Sequence, residues 1–184
     1  MSQATPFGSQ TRYLGPANLY VDCVSGLPDT GRFLGKTDSV SLEFSVTGTD
    51  IIFSQDGTEP SDRVKTGYRV AVTAGLGQLS SDALSGVVPG INFNGEIMAF
   101  SNPIGEGDLE FATQLVLVPL SGSIEITDSK QIIVFPQARV QSEATVPYDA
   151  GTQRFVSVTF NCYEDATVLV NGKASKFVTQ NYYS

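Results

Sequence analysis

Strict alternation of apolar and polar residues constrains this chain more than any other feature. In residues 38–47 the side chains of Val40, Leu42, Phe44 and Val46 fall on one face, and Ser, Glu and Thr fall on the other. Residues 66–76 and 154–163 repeat the same period of two. A period of two is typical of half-buried β-strands, in which successive side chains point to opposite faces.

Shorter strands are predicted at residues 19–24, 51–54, 111–120, 132–135 and 167–170. The apolar run 115–118 is expected to be covered on both faces. Asn171-Gly172 predicts a tight hairpin turn. One short helix is predicted over residues 79–88, stopped by Pro89-Gly90. The expected fold is therefore all-β: an antiparallel β-sandwich or flattened barrel with one short flanking α-helix.

Composition excludes several function classes. The 184 residues include no His and only two Cys. A Ser-His-Asp triad and a Cys-His pair are therefore impossible, and so is a zinc site built from Cys and His. The net charge of −8 argues against a basic DNA-binding face. Cys23 and Cys162 are predicted to be reduced core residues. No secretory signal or apolar membrane span is visible, so we expect synthesis in a cytoplasm.

The carboxylates of Glu106, Asp108 and Glu110 are two residues apart and suggest either a calcium site or a glycosidase pair. A solvated loop explains them more simply. No nucleophile lies beside a base, so we predict no enzyme activity, no cofactor and no metal.

Two features fit a self-contained sandwich poorly. Residues 54–65 form a long polar loop between two adjacent strands, whereas most hairpin loops have 2–5 residues. The acidity is also one-sided, because the stretch from Val70 to Ser129 contains no Lys or Arg.

Three stretches together resemble the major tail tube proteins of tailed bacteriophages. The first is residues 15–22 followed by Phe33-Leu34-Gly35-Lys36-Thr37 and the alternating strand. The second is the polar loop leading into residues 67–73 and the short helix containing Leu79 and Leu84. The third is residues 132–138, with Phe135-Pro136-Gln137-Ala138, followed by residues 154–160. The match covers most of residues 15–163.

The resemblance implies a non-enzymatic subunit of hexameric rings, whose inner sheets join into a continuous barrel and which stack into a hollow tube. It implies an N-terminal arm at 1–16, a tail-tube domain at 17–170 and a C-terminal extension at 171–184. The stacking joint would be the 54–65 loop, with these contact residues: Gln55, Asp56, Gly57, Thr58, Glu59, Pro60, Ser61, Asp62 and Arg63.

The same resemblance places Glu43 in the inner sheet, facing an acidic lumen through which double-stranded DNA passes without being held. Implied partners are other copies of the chain and the tape-measure, tail-tip or baseplate, and tail-terminator proteins, with no membrane. A sheath, and with it contractility, is left open. The expected location is the virion tail. The alternative is a soluble β-sandwich module for binding or virion decoration, with a carbohydrate or protein ligand.

Overall fold

The alternating segments form strands, because residues that alternate in polarity bury one face of a sheet and leave the other exposed to solvent. The computed structural model describes residues 16–51, 62–77, 91–93, 97–100, 107, 109–141 and 156–183. The strands are β1 Ala17–Val21, β2 Arg32–Ile51, β3 Asp62–Leu76, β4 Ile91–Phe93, β5 Met98–Phe100, β6 Thr113–Ser121, β7 Ile124–Glu125, β8 Ile133–Val140, β9 Val156–Tyr163, β10 Asp165–Val170, β11 Lys173–Ser175 and β12 Val178–Thr179. Short 3-10 turns occupy Pro28–Thr30 and Gln180–Tyr182. The predicted all-β class is confirmed, and the helix predicted at 79–88 lies outside the described residues.

Eight strands form one antiparallel sheet in the order β12-β8-β9-β3-β2-β1-β6-β7, and β6 also pairs with β8. The pairings from β8 through β9, β3, β2, β1 and β6 therefore return to β8. The sequence predicts a β-sandwich or a flattened barrel, and this antiparallel arrangement fits that all-β class. Here a single sheet bends around the core.

The main core lies inside this bend. Its members are buried alternate residues of six strands, including Leu19, Val72, Leu117, Phe135 and Phe160. Burying such side chains is worth about 1.5–3 kcal/mol each. The inward sides of β2, β3 and β9 are those that the period-two pattern predicts.

A second apolar cluster lies on the opposite face of β6 and β8. It contains Val116, Val118, Val134, Val168 and Val178, with Tyr20 and Tyr183 packed against it. Residues Leu115–Val118 are thus buried from both sides, as their sequence predicts.

The C-terminal residues contribute to this second cluster. Val178 and Thr179 pair with Val134 and Ile133 of β8, and the backbone N–H of Gln180 donates to Ile132 O at 3.0 Å. Residues 178–180 therefore extend the β8 edge of the sheet.

Two local features follow directly from sequence. The predicted turn at Asn171-Gly172 joins β10 to β11, and both residues have the positive φ (54° and 75°) that a two-residue hairpin of type I′ requires. The predicted 54–65 loop is shorter than expected, because β3 begins at Asp62 and pairs with Ile51. The described strands therefore extend the ladder into the segment predicted as loop.

Candidate assembly surface

The β2–β3 pair extends beyond the rest of the sheet. Its ladder runs from Thr37 opposite Leu76 to Ile51 opposite Asp62, whereas β9 pairs with β3 only from Val70 to Leu76. We call residues 44–51 and 62–69 the ribbon. The ribbon is two-stranded because, among the described residues, no third strand continues alongside it.

The apolar face of β2 passes from the core onto the ribbon without a change of pattern. Val40 is buried and Leu42 is half-buried, but Phe44 is 48% exposed and Val46 is 54% exposed. Tyr68, opposite Val46, is 44% exposed. Single exposed apolar residues are ordinary, but three on one contiguous strand face form a patch of the kind that mediates contacts.

The C-terminal segment contacts the base of this patch. The Phe177 ring lies edge-on to Phe44, with centroids 5.7 Å apart, and 6.2 Å from Phe135 of the core. The Lys176 Nζ lies 4.4 Å from the Tyr68 ring centroid. Burial and a hydrogen bond to the Glu164 carboxylate raise the pKa of Tyr68. The base of the ribbon is therefore fixed in place, and its apolar face becomes more exposed towards Val46.

The opposite face of these strands is polar. Glu43 is exposed and lies opposite Ala71, which in turn lies opposite Asn161 of β9. Arg69 shares this face and donates to Asn161 Oδ1 at 2.7 Å and to Gln141 Oε1 at 2.8 Å. Both acceptors are neutral, so Arg69 keeps its positive charge close to Glu43.

Arg139 pairs with Asn161 and therefore lies on the same polar face. It donates to the Phe111 carbonyl oxygen at 3.2 Å and lies 5.4 Å from the Phe111 ring centroid. The charged side chains of this face that the structure describes are thus one acid, Glu43, and two arginines engaged in hydrogen bonds.

A groove of about 650 Å³ runs along the ribbon. It has an apolar part and a charged rim, and its lining residues are Phe44, Ser45, Val46, Lys65, Gly67, Tyr68, Arg69 and Glu164.

The structure separates the predicted stacking residues into two groups. Asp62 and Arg63 begin β3, opposite Ile51 and Asp50. The other seven, Gln55 to Ser61, lie outside the described residues. Glu43 lies on the polar face as its position in the alternation predicts.

The residues that sequence reasoning missed are Lys176 and Phe177. Near this segment the sequence predicts only the Asn171-Gly172 turn, and its local pattern gives no sign that Lys176 contacts Tyr68, which lies 108 residues away. The one available signal was the aromatic residue Phe177, which lies in a segment that the resemblance to tail tube proteins does not cover.

The described residues offer little other chemistry. Among the described residues, no three His, Cys, Asp or Glu side chains are placed to hold a metal. Glu106 and Asp108 are outside those residues. Cys23 and Cys162 are free and buried, as predicted, and burial raises the pKa of each thiol to about 12. No helix in the described ranges is long and apolar enough to cross a membrane.

No family model and no curated protein matches this chain. Eleven chains of solved structures share some similarity with this chain, among them three from virion, tail and sheath–tube particles. A chain from the virion of a native gene transfer agent is 8% identical, with a TM-score of 0.41, and 79% of this chain and 88% of that chain are covered. A chain from the tail of an empty gene transfer agent particle with C6 symmetry is 10% identical, with a TM-score of 0.43 and coverage of 82% and 90%.

The third is a chain from the extended sheath–tube complex of an extracellular contractile injection system. It is 11% identical, with a TM-score of 0.40 and coverage of 95% and 97%. These three chains thus come from tail and sheath–tube particles.

Proposed function

We propose that this chain is a structural subunit of a phage-like tail tube and that it acts by assembling with its own copies, without catalysis. The observation that carries the proposal is the ribbon, where a core-type apolar face continues past the core and remains half-exposed at Phe44, Val46 and Tyr68. Such a face costs free energy in the isolated subunit and gains it when a neighbour covers it.

The sequence resemblance to tail tube proteins supports the form of the assembly. In this proposal the subunits form hexameric rings, their inner sheets join edge to edge, and the rings stack into a tube. The loop that includes Gln55 to Ser61 would reach the next ring, and Asp62 and Arg63 at the start of β3 would lie at its root.

The polar face of β2, β3 and β9 would line the channel. It offers mainly hydroxyl and amide groups, while Arg69 and Arg139 already donate to protein acceptors. Those acceptors are neutral and leave both arginines cationic, so passage of DNA without binding would depend on the carboxylates that offset them. The acidity proposed for the lumen would rest on Glu43 and on acidic residues outside this face.

The remaining partners follow from the same resemblance: a tape-measure protein, a tail-tip or baseplate protein and a tail terminator, with the protein located in the virion tail.

One observation favours a second function, a carbohydrate-binding or protein-binding module. The groove is lined by Phe44 and Tyr68, and exposed aromatic rings bordered by polar groups are typical of sugar sites. Against it, Lys176 lies over one face of the Tyr68 ring and Phe177 meets Phe44, which leaves less ring surface for a sugar to stack on.

Negative-stain microscopy of the purified full chain over a wide concentration range separates the two proposals. We expect rings or tubes. Monomers at every concentration that bind an oligosaccharide array would support the binding module and reject the tube subunit.

A further inference from the structure

One edge of the ribbon is closed by the C-terminal segment. The pairing of β9 with β3 ends at Cys162 opposite Val70, and continuing that register would place Glu164 opposite Tyr68. The chain instead leaves the ladder after Tyr163. From Tyr68 towards Asp62, the β3 edge has no strand partner among the described residues.

Two charged side chains stand where β9 would have continued. Lys176 Nζ donates to the Tyr68 carbonyl oxygen at 2.6 Å and lies 4.4 Å from the centroid of the same residue's ring. Glu164 lines the same groove as Tyr68, and burial together with this carboxylate raises the pKa of Tyr68. The first backbone carbonyl beyond β9 is therefore occupied by an ammonium rather than by another strand.

Lys176 is held at this position by its neighbours in the chain. Phe177 packs against Phe44 and Phe135, and Val178 pairs with Val134 of β8. A lysine on a free tail would lose considerable side-chain and backbone entropy on reaching Tyr68. Here the packing of residues 177–179 already orders the backbone next to Lys176, so the contact with Tyr68 costs less backbone entropy.

The other edge of the ribbon has no comparable guard among the described residues. The pairing of β1 with β2 ends at Asn18 opposite Lys36, so β2 from residue 38 to 51 has only β3 beside it. Among the described residues, the β3 edge of the ribbon thus meets an ammonium at Tyr68, whereas no strand borders the β2 edge.

We propose that Lys176 is an edge guard, which prevents a strand of a second copy from adding to the β3 side of the ribbon and so restricts strand addition to the β2 side. Unpaired edges are templates for self-association, and a charged lysine placed on an edge is an effective block. This inference goes beyond the proposed function, because it concerns which edge pairs and holds for the free subunit.

The test replaces Lys176 with methionine, which keeps the chain length and removes the ammonium. The matched control is Lys173→Met on the exposed hairpin strand β11. Hydrogen exchange of the amides of residues 64–69 and light scattering of the free subunit are measured under conditions that do not nucleate tubes. Thermal melts check that each variant folds.

For Lys176→Met we expect concentration-dependent association that Lys173→Met does not show, with exchange of these ribbon amides slowed roughly tenfold as the associated fraction rises, because an added strand protects them. Lys176→Arg, which keeps a cationic donor, should stay monomeric under the same conditions. If Lys176→Met lowers the melting temperature too far for comparison, Lys176→Gln serves instead, since it keeps a donor but loses the charge, and it should associate to a lesser extent.

Exchange and association equal to those of Lys173→Met would overturn the proposal, and so would faster exchange without association. The outcome is independent of tube formation. If the wild-type chain never forms tubes but Lys176→Met still associates, the proposed function fails and the edge guard stands.

Discussion

Val46 and Tyr68 lie directly opposite each other across the β2–β3 ladder, beyond the end of β9, and each leaves close to half of its side chain exposed. Both residues continue the face that buries Val40 and Val72 in the core. Full burial of an apolar side chain is worth about 1.5–3 kcal/mol. An assembly that covers this pair in every subunit therefore gains a substantial driving force.

Thr37 should stabilise the start of β1. Its hydroxyl accepts from Ala17 N at 3.1 Å and donates to Ala17 O at 2.9 Å, and both residues are buried. Thr37→Val keeps the shape but leaves both backbone groups without that partner, so we expect a loss of about 1–3 kcal/mol in the free energy of unfolding. Urea denaturation measures it, with Thr127→Val at an exposed position as the control. Equal midpoints for the two variants would contradict this role.

Tyr20 should make stability fall at alkaline pH. Burial, followed by its 2.5 Å hydrogen bond to Glu125, raises the pKa of Tyr20 to about 12, whereas an unfolded tyrosine titrates near 10. Between those values the unfolded chain binds fewer protons, so the free energy of unfolding decreases as the pH rises.

Tyr20→Phe lacks this titration. Urea midpoints at pH 9, 10 and 11 should show the variant less stable than the wild type at pH 9, with the difference narrowing as the pH rises. Cys162 titrates in both proteins and cancels in the comparison, and so does Cys23 apart from the minor effect of its charge on Tyr20. A difference that stays constant over this range would show that Tyr20 is not the titrating group.

The loop between β2 and β3 should serve stacking rather than folding. Replacing residues 55–61 by a Gly-Ser linker of equal length should leave the thermal midpoint nearly unchanged, because the closed loop keeps its length. We expect rings that no longer elongate, scored by microscopy. Tube growth at the wild-type rate would remove the loop from the inter-ring joint.

Glu43 should influence how DNA passes the proposed lumen. Glu43→Lys would add a cation diagonally across the ladder from Arg69 and make this polar face strongly basic. We expect assembled tubes to retain double-stranded DNA in co-sedimentation, and we expect added salt to release it. Glu110→Lys, at an exposed position in the turn before β6, is the control. Equal DNA retention by both variants would place Glu43 outside the lumen.

The sequence predicts those parts of the fold that depend on neighbouring residues. The alternation of residues 38–47 identifies which side of β2 faces inward. The pair Asn171-Gly172 identifies the hairpin turn between β10 and β11. Alternation carries no information about where an adjacent strand stops. The exposure of Phe44 and Val46 follows from the end of β9 at the level of Val70, which is a tertiary property.

The candidate site was less predictable for the same reason. Glu43 falls on the polar face, as its position in the alternation requires. Arg69 and Arg139 reach the same face because strands that are distant in the sequence pair with one another. Lys176 contacts Tyr68 although the two residues are 108 positions apart in the sequence. A single sequence contains no local signal for such a pair.

The most direct test of the central claim is the assembly of Val46→Asp. This change places a carboxylate on the exposed apolar face, where the free subunit can solvate it but a covered interface cannot without a large desolvation cost. Ile124→Asp, on the exposed strand β7, is the matched control. Sedimentation velocity with negative-stain microscopy should show Val46→Asp folded and monomeric under conditions in which the wild type and Ile124→Asp form rings or tubes. Tubes of Val46→Asp as abundant as those of Ile124→Asp would contradict the claim that the ribbon face is the assembly surface.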